Sequence, residues 1–188
     1  MGTVYAELDE RLIAFIGRQP MFFVATAPSL ESSSSGGHVN LSPKGYRDTF
    51  AVIDRLTVAY LDLTGSGAET IAHLRQNGRI TIMFCSFEDT PNIVRLYGRG
   101  EVLDLASPAA ADLLARWPAY PGARGVVRVE VTRVSTSCGY AVPRLRYDGE
   151  RSRLLAWAEH KGPDGVRAYW AEQNTESIDG LPGLTTGR

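Results

Sequence analysis

Four small residues in the middle of the chain, Thr64-Gly65-Ser66-Gly67, follow an apolar strand-like segment and precede a helix-like one. Glycine lets the backbone approach a ligand without an intervening Cβ, and the free amides and positive dipole end of a helix start attract anions. Thr64, Ser66 and Thr70 add hydroxyl donors. The spacing therefore predicts a phosphate-binding turn.

The same run also has the pattern of an ordinary helix start. Ser66 and Glu69 have the spacing of a capping box, in which the Ser66 hydroxyl accepts from the Glu69 amide and the Glu69 side chain bonds back to residue 66. A carboxylate in the first turn also repels phosphate unless it points away. Because the run has no Lys or Arg, the positive charge that phosphate prefers would have to come from another segment.

The segment HVNLSPKG, earlier in the chain, can supply that charge. Its alternation predicts a strand with Val39 and Leu41 on one face and with Asn40, Ser42 and Lys44 on the other. We therefore expect Lys44 to provide the positive charge beside the turn.

A dinucleotide site is a competing interpretation of the two glycines. Residues 65–67 begin a GxGxxG motif, and Glu88 and Asp89 lie about where a ribose-binding acid is expected. Thr70, however, replaces the third glycine, which that fold uses for close packing of helix on strand. The flanking chain also fails to alternate β and α, so this interpretation is disfavoured.

The elements that must position these residues are mainly strands. The strand-like segments are residues 21–27, 38–45, 50–63, 80–87, 92–103 and 126–134. Helical patterns follow the turn, cover residues 108–117 and two stretches of the last forty residues, and begin the chain at Tyr5, Leu8, Leu12, Phe15 and Ile16. Residues 30–38 predict a hairpin loop and residues 177–184 a surface tail. This order predicts a mainly β protein, an antiparallel barrel with short helices in one domain spanning residues 1–188.

Composition narrows the classes of function. With 44% hydrophobic and 22% charged residues the chain is globular in type, and a net charge of −1 favours neither nucleic acid nor an acidic membrane as a partner. The two cysteines, Cys85 and Cys138, form no CxxC motif, so neither a disulfide framework nor a metal site is expected. The first residues lack the pattern of a signal peptide, and we expect a cytoplasmic protein.

Three segments in this order, HVNLSPKG, YLDLTGSGAETIAHLRQNGRITIMF and RLYGRGEV, resemble the FMN-binding split β-barrel family related to pyridoxamine 5′-phosphate oxidase. The resemblance runs from about Phe22 to Val134. The C-terminal part, about residues 139–188, resembles an extension found on one bacterial branch of that family, through the motifs SCGYAVP and SIDGLPGL. The resemblance implies a six-stranded antiparallel split barrel that forms a homodimer, with two FMN molecules in clefts at the subunit interface.

The resemblance also implies where the cofactor lies. The polar face of the HVNLSPKG strand would run along the flavin, and the glycine turn would hold the ribityl phosphate. The expected cofactor-binding residues are Asn40, Ser42, Lys44, Asp62, Thr64, Gly65, Ser66, Gly67 and Thr70. The implied activity is that of an FMN-dependent oxidoreductase on a small organic substrate, with no catalytic side chain assigned. Candidate substrate contacts are Cys138, Tyr140 and Arg144.

The chain departs from the true oxidase in its site motifs. Gly67 to Thr70 stands where that enzyme has an Arg-Lys pair, and Asn92 to Arg95 stands where it has Arg-Gln-Val-Arg. Trp170 is only a loose counterpart of the Trp that grips pyridoxal phosphate, so vitamin B6 oxidation is not expected. Two alternatives stay open: a barrel that binds deazaflavin or haem, and a flavin carrier or sensor without turnover. The candidate haem ligands would be His38, His73 and His160.

Overall fold

The computed structural model describes residues 2–29 and 36–185, so most of the predicted loop at 30–38 lies outside the described residues. Within these ranges the strands are β1 (Thr3–Tyr5), β2 (Phe22–Thr26), β3 (Asn40–Lys44), β4 (Phe50–Val52), β5 (Thr57–Leu63), β6 (Arg79–Cys85), β7 (Ile93–Leu103) and β8 (Ala123–Ser137). The helices are α1 (Glu10–Arg18), α2 (Glu69–Asn77), α3 (Pro108–Leu114) and α4 (Arg153–Gln173), with a 3-10 turn at Arg47–Thr49.

All strands belong to one antiparallel sheet in the order β3-β2-β6-β7-β8-β5-β4, and β1 pairs with the end of β8. The sheet curls strongly, because Lys44 on β3 lies 3.1 Å from Asp62 on β5 although four strands separate them in the sheet. The fold is therefore the predicted mainly β split barrel. The strand order ends at β3, which contains Pro43, and at the three-residue β4, and β1 is a further edge strand because its pairing within the described residues is with β8 alone.

The number of strands is a correction, because the sheet formed by the described residues has eight strands rather than the predicted six. Residues 50–63 form two strands and not one, since the Asp54 side chain accepts from the Leu56 amide at 2.8 Å and closes a tight turn between β4 and β5. The N-terminal residues 3–5 add another short strand. Tyr5 was expected in the first helix, but that helix starts after Asp9, whose carboxylate accepts from the Leu12 amide at 2.8 Å.

Two apolar clusters fill the barrel and its flank. The larger packs α1 against the inward faces of the strands, with Val24, Ile82 and Leu96 fully buried. The smaller lies under α3 and includes Trp117. Both combine apolar strand residues with the apolar face of a helix, Leu12, Phe15 and Ile16 of α1 in the larger cluster and Ala110 and Leu113 of α3 in the smaller.

The start of α2 differs from the capping-box interpretation. Ala68 is the N-cap residue and provides no side-chain cap, while the Glu69 carboxylate accepts from the Ile178 amide at 3.2 Å. The capping box between Ser66 and Glu69 is therefore wrong for this helix. The helix ends at Asn77, because Gly78 takes a left-handed conformation with φ of 69° and its amide donates to the Leu74 carbonyl.

After β8 comes a long C-terminal extension, defined here as residues 139–185. Its helix α4 is interrupted at Gly162, and only Ala158 and Val166 of this helix are buried. A tail follows whose single bridge joins Glu176 to Pro182. Of the helices in the described ranges, none has the length and apolar character needed to cross a membrane.

Candidate functional site

A cavity of about 300 Å³ opens between β3, the end of β5 and the start of α2. It is lined by eight of the nine predicted cofactor-binding residues: Asn40, Ser42, Lys44, Thr64, Gly65, Ser66, Gly67 and Thr70. The ninth, Asp62, is fully buried and bonded to Lys44. The curl of the sheet thus brings together two segments that are distant in the sequence, residues 40–44 and residues 62–70.

The charges of the site are organised around Asp62. One carboxylate oxygen accepts from Lys44 Nζ at 3.1 Å, and the other accepts from Arg124 Nε at 2.6 Å. Burial alone would raise the pKa of Asp62, but the two cations outweigh it and hold that pKa below its usual value. One buried anion between two cations leaves a net positive charge at the inner wall of the cavity.

Arg124 was not expected from the sequence. Its side chain is 4% exposed, and its Nη1 donates to the Gly67 carbonyl at 2.9 Å. Its Nη2 lies 3.8 Å from the position that a Cβ on Gly65 would take, and no acceptor for it is found within residues 2–29 and 36–185. Arg124 also lines the cavity, so the turn does have a cation beside it.

A polar network supports the outer wall of the cavity. The amide nitrogen of Asn40 donates to Thr26 at 3.1 Å and to Thr70 at 2.9 Å, and its amide oxygen accepts from Ser42 at 3.0 Å. Thr26 in turn lies 3.0 Å from His73 Nδ1. Asn40 therefore holds β2, β3 and the first turn of α2 together.

The three candidate haem histidines lie in different environments within the described residues. His73 is fully buried on α2, where burial lowers its pKa, and its Nε2 has no partner within those residues. His38 Nδ1 lies 2.7 Å from Asp179, and His160 is exposed on α4. In the same ranges no group of three or more His, Cys, Asp or Glu residues could hold a metal ion.

The hydroxyl groups of the turn differ in what they can offer a ligand. The Thr64 hydroxyl donates to the Gly122 carbonyl at 2.7 Å and accepts from Trp170 Nε1 at 2.8 Å, so it is already engaged. Ser66 is exposed at the cavity. A Cβ on Gly67 would meet a Glu69 carboxylate oxygen at 2.2 Å, so the Glu69 side chain folds over this glycine.

The loop after β3 is strained at the mouth of the cavity. Tyr46 has φ of 59°, a conformation that costs a non-glycine residue about 1–3 kcal/mol. The Glu150 carboxylate accepts from the amides of Tyr46 and Arg47 at 3.3 and 3.2 Å, and the Tyr46 hydroxyl donates to the Arg151 carbonyl at 2.6 Å. The extension thus maintains the strained loop.

The predicted substrate contacts lie outside this cavity. Cys138 and Tyr140 are exposed on the segment after β8, and Arg144 forms an exposed ion pair with Asp89. Their role therefore stays a prediction. Cys85 is buried, and burial raises the pKa of its thiol, as is typical of an unreactive structural cysteine.

Known proteins match both the sequence and the fold. The family model described as pyridoxamine 5′-phosphate oxidase matches residues 8–138. The pyridoxamine 5′-phosphate oxidase family protein ustO of Aspergillus flavus is 42% identical over 200 residues, which cover 98% of this chain and 78% of the fungal protein. The segment shared with this fungal relative thus includes the extension.

Two solved structures show the same fold at low identity. The H111A variant of HupZ from Group A Streptococcus is 21% identical with a TM-score of 0.52, covering 69% of this chain and 98% of that chain. An FAD-binding protein from Mesorhizobium loti is 14% identical with a TM-score of 0.50, covering 72% of this chain and 96% of that chain. With the family match over most of its length, the chain belongs to the pyridoxamine 5′-phosphate oxidase family.

Proposed function

We propose that this protein binds FMN in the cavity beside the glycine turn and is an FMN-dependent oxidoreductase acting on a small organic substrate. The observation that carries the proposal is the convergence of eight predicted cofactor-binding residues with Arg124 on one cavity. Family membership supports a flavin, and the FAD-binding relative from Mesorhizobium loti supports the same class of cofactor.

The phosphate of FMN would bind at the turn. Amides at the start of α2 and the net positive charge of the Lys44–Asp62–Arg124 group both favour an anion there. Glu69 also lines the cavity and opposes the anion, although the Ile178 amide holds one of its oxygens. The two cations of the Lys44–Asp62–Arg124 group and the amides of the helix start together outweigh this one carboxylate and favour a phosphate.

The flavin ring would supply the redox chemistry, and the residues of this chain would bind and orient it. Asn40 is already oriented by its bonds to Thr26 and Thr70, so its position on the cavity wall is fixed before a ligand arrives. The rigid network would reduce the entropy lost on binding. No side chain is assigned a catalytic role, and Cys138, Tyr140 and Arg144 remain candidate substrate contacts.

A charged turn variant tests the phosphate site directly. A Cβ on Gly65 would lie 3.8 Å from Arg124 Nη2, an ordinary contact distance, so Gly65→Asp introduces no clash at Cβ and adds a carboxylate to the turn proposed to hold the phosphate. We expect FMN affinity to fall by about a hundredfold, since a charge-assisted hydrogen bond is lost and repulsion is added. Gly65→Ala is the matched control and should bind within a few fold of the wild type. FMN titrations by fluorescence quenching measure both, and equal affinities for the three proteins would contradict the proposal.

The spectrum of the purified protein tests the cofactor itself. FMN gives the visible bands and fluorescence of an oxidised flavin, whereas haem gives a Soret band and a deazaflavin its own spectrum. Turnover is tested by reducing the bound flavin with NADH or NADPH and asking whether an organic acceptor reoxidises it faster than oxygen does. A flavin that no acceptor reoxidises would support a carrier in place of an enzyme.

We also propose that the protein forms a homodimer in the cytoplasm, with the flavin at the subunit interface. The outer face of the β3 edge is apolar, because the side chains of Val39 and Leu41 are 76% and 64% exposed. A surface of this kind is typical of a protein–protein contact. Leu41→Glu should shift the mass measured by light scattering from dimer to monomer, while Leu56→Glu, at an exposed turn, should not.

A further inference from the structure

The extension is bonded to the glycine turn through one fully buried residue, Asn174, at the end of α4. The Asn174 side-chain oxygen accepts from Arg124 Nη1 at 3.0 Å, and its side-chain nitrogen donates to the Gly65 carbonyl at 3.1 Å. The backbone amide of Asn174 donates to the Trp170 backbone carbonyl at 2.9 Å, and its backbone carbonyl accepts from the Leu184 amide at 2.7 Å. Its main-chain and side-chain polar groups therefore all have partners.

These bonds fix the direction of the peptide groups in the turn. A trans peptide is planar, and its carbonyl and amide point in opposite directions. The Gly65 carbonyl is bound by Asn174 and the Gly67 carbonyl by Arg124. The amides of Ser66 and Ala68 are therefore directed away from these two side chains, on the other side of the turn.

Two more contacts hold the turn from the same side. Trp170 Nε1 donates to the Thr64 hydroxyl at 2.8 Å, at the first residue of the turn. Gly183 in the tail packs closely on the N-cap of α2, because a Cβ on Gly183 would lie 2.8 Å from the Ala68 Cβ and 2.4 Å from the Asn174 carbonyl oxygen. Both ends of the turn thus touch the extension.

We infer that Asn174 is a positioning residue by which the extension of the same chain holds the turn in its phosphate-binding conformation. This inference rests on the proposed function, and it adds that the extension determines selectivity for a phosphorylated flavin. Riboflavin has the same ring and ribityl chain as FMN but no phosphate, so it is the natural probe. Asn174 does not line the cavity, so its effect should fall on the phosphate alone.

Titration of FMN and of riboflavin into the full chain distinguishes an effect of Asn174 on phosphate binding from an effect on the binding of the whole flavin. In Asn174→Ala we expect FMN affinity to fall by about tenfold, the range for a group that orients charge-assisted hydrogen bonds, with riboflavin affinity unchanged within twofold. Gln173→Ala, at the exposed neighbouring position, is the matched control and should keep the wild-type ratio of the two affinities. An unchanged ratio in Asn174→Ala overturns the inference.

Trp170→Phe keeps an aromatic ring but removes the donor to Thr64, so it tests the same conclusion if Asn174→Ala does not fold. A lower ratio of FMN to riboflavin affinity in Trp170→Phe, at a melting temperature close to that of the wild type, supports the inference. A wild-type ratio in Trp170→Phe overturns it. A wild-type protein that binds neither flavin overturns the proposed function itself, which is a different outcome from FMN binding that is insensitive to Asn174.

Discussion

The barrel and the extension are held together by different interactions. In the barrel, long antiparallel ladders surround side chains such as Ile82 and Leu96 that are fully buried. In the extension, the 21-residue α4 buries only Ala158 and Val166, and hydrogen bonds from Trp170 and Asn174 join the extension to the site. Stability therefore resides mainly in the barrel, while the extension adjusts the geometry of the site.

Arg124 lies where the two regions meet, and we expect its removal to have the largest effect. Arg124→Ala leaves the buried Asp62 with Lys44 alone, which should lower the free energy of unfolding by about 3–5 kcal/mol. Urea unfolding of the protein without flavin measures the change. Arg128→Ala, on the same strand but in an exposed pair with Glu101, is the control and should cost at most about 1 kcal/mol. Equal losses of unfolding free energy in the two variants would show that the buried Arg124–Asp62 pair stabilises the protein no more than the exposed Arg128–Glu101 pair.

Truncation of one buried apolar side chain in the barrel and one in the extension tests whether the barrel contributes more of the stability. Ile82→Ala in the barrel should lower the free energy of unfolding by about 3 kcal/mol, because it leaves a cavity among buried side chains. Val166→Ala in the extension should cost about 1.5 kcal/mol or less, because it removes two carbons from a sparsely packed helix. Denaturant midpoints of the two variants decide the order, and a larger loss in Val166→Ala would reverse our view of where stability resides.

The smallest expected effect is a dependence of barrel stability on pH. Burial lowers the pKa of His73 in the folded state below the ordinary value of 6.5, so the unfolded chain binds a proton first as the pH falls. The contribution of His73 is then fully present above pH 6.5 and declines as the pH falls from 6.5 towards the folded pKa. The slope cannot exceed about 1.4 kcal/mol per pH unit for one group.

Unfolding free energies at about pH 7.5 and 5.5 measure this slope for the wild type and for His73→Gln. The variant should lose less stability than the wild type over that interval. His160→Gln, an exposed histidine on α4, should behave as the wild type does and serves as the control. A steeper loss in His73→Gln would mean that the buried imidazole is not the neutral group described above.

The sequence predicted the barrel well because the information is local. Alternation within HVNLSPKG placed Asn40, Ser42 and Lys44 on one face, and all three line the cavity. The capping-box interpretation of the start of α2 was wrong because the Glu69 carboxylate accepts from the amide of Ile178, more than a hundred residues away, instead of closing a local capping box. Long-range partners of this kind leave no periodic pattern.

Arg124 was missed for a related reason. It precedes an alternating strand, and its neighbour Gly125 pairs with Asp62 only through the register of β5 against β8, which has an irregularity at this point. Register depends on the whole sheet and not on nearby residues. The arginine between Ala123 and Gly125 was nevertheless a usable signal, since a charge flanked by small and apolar residues needs a buried partner.

Pro43 on the edge strand β3 has a consequence for how this protein behaves at high concentration. An exposed sheet edge is a template on which another chain can add a strand, and this is a common route to aggregation. Proline has no N–H, and within sheets it is found on edges with that side turned to solvent. The edge therefore lacks one donor in a strand of only five residues, and at the other edge β4 has only three residues. Substituting Pro43 by a β-branched residue would restore the donor and favour strand-to-strand association between molecules.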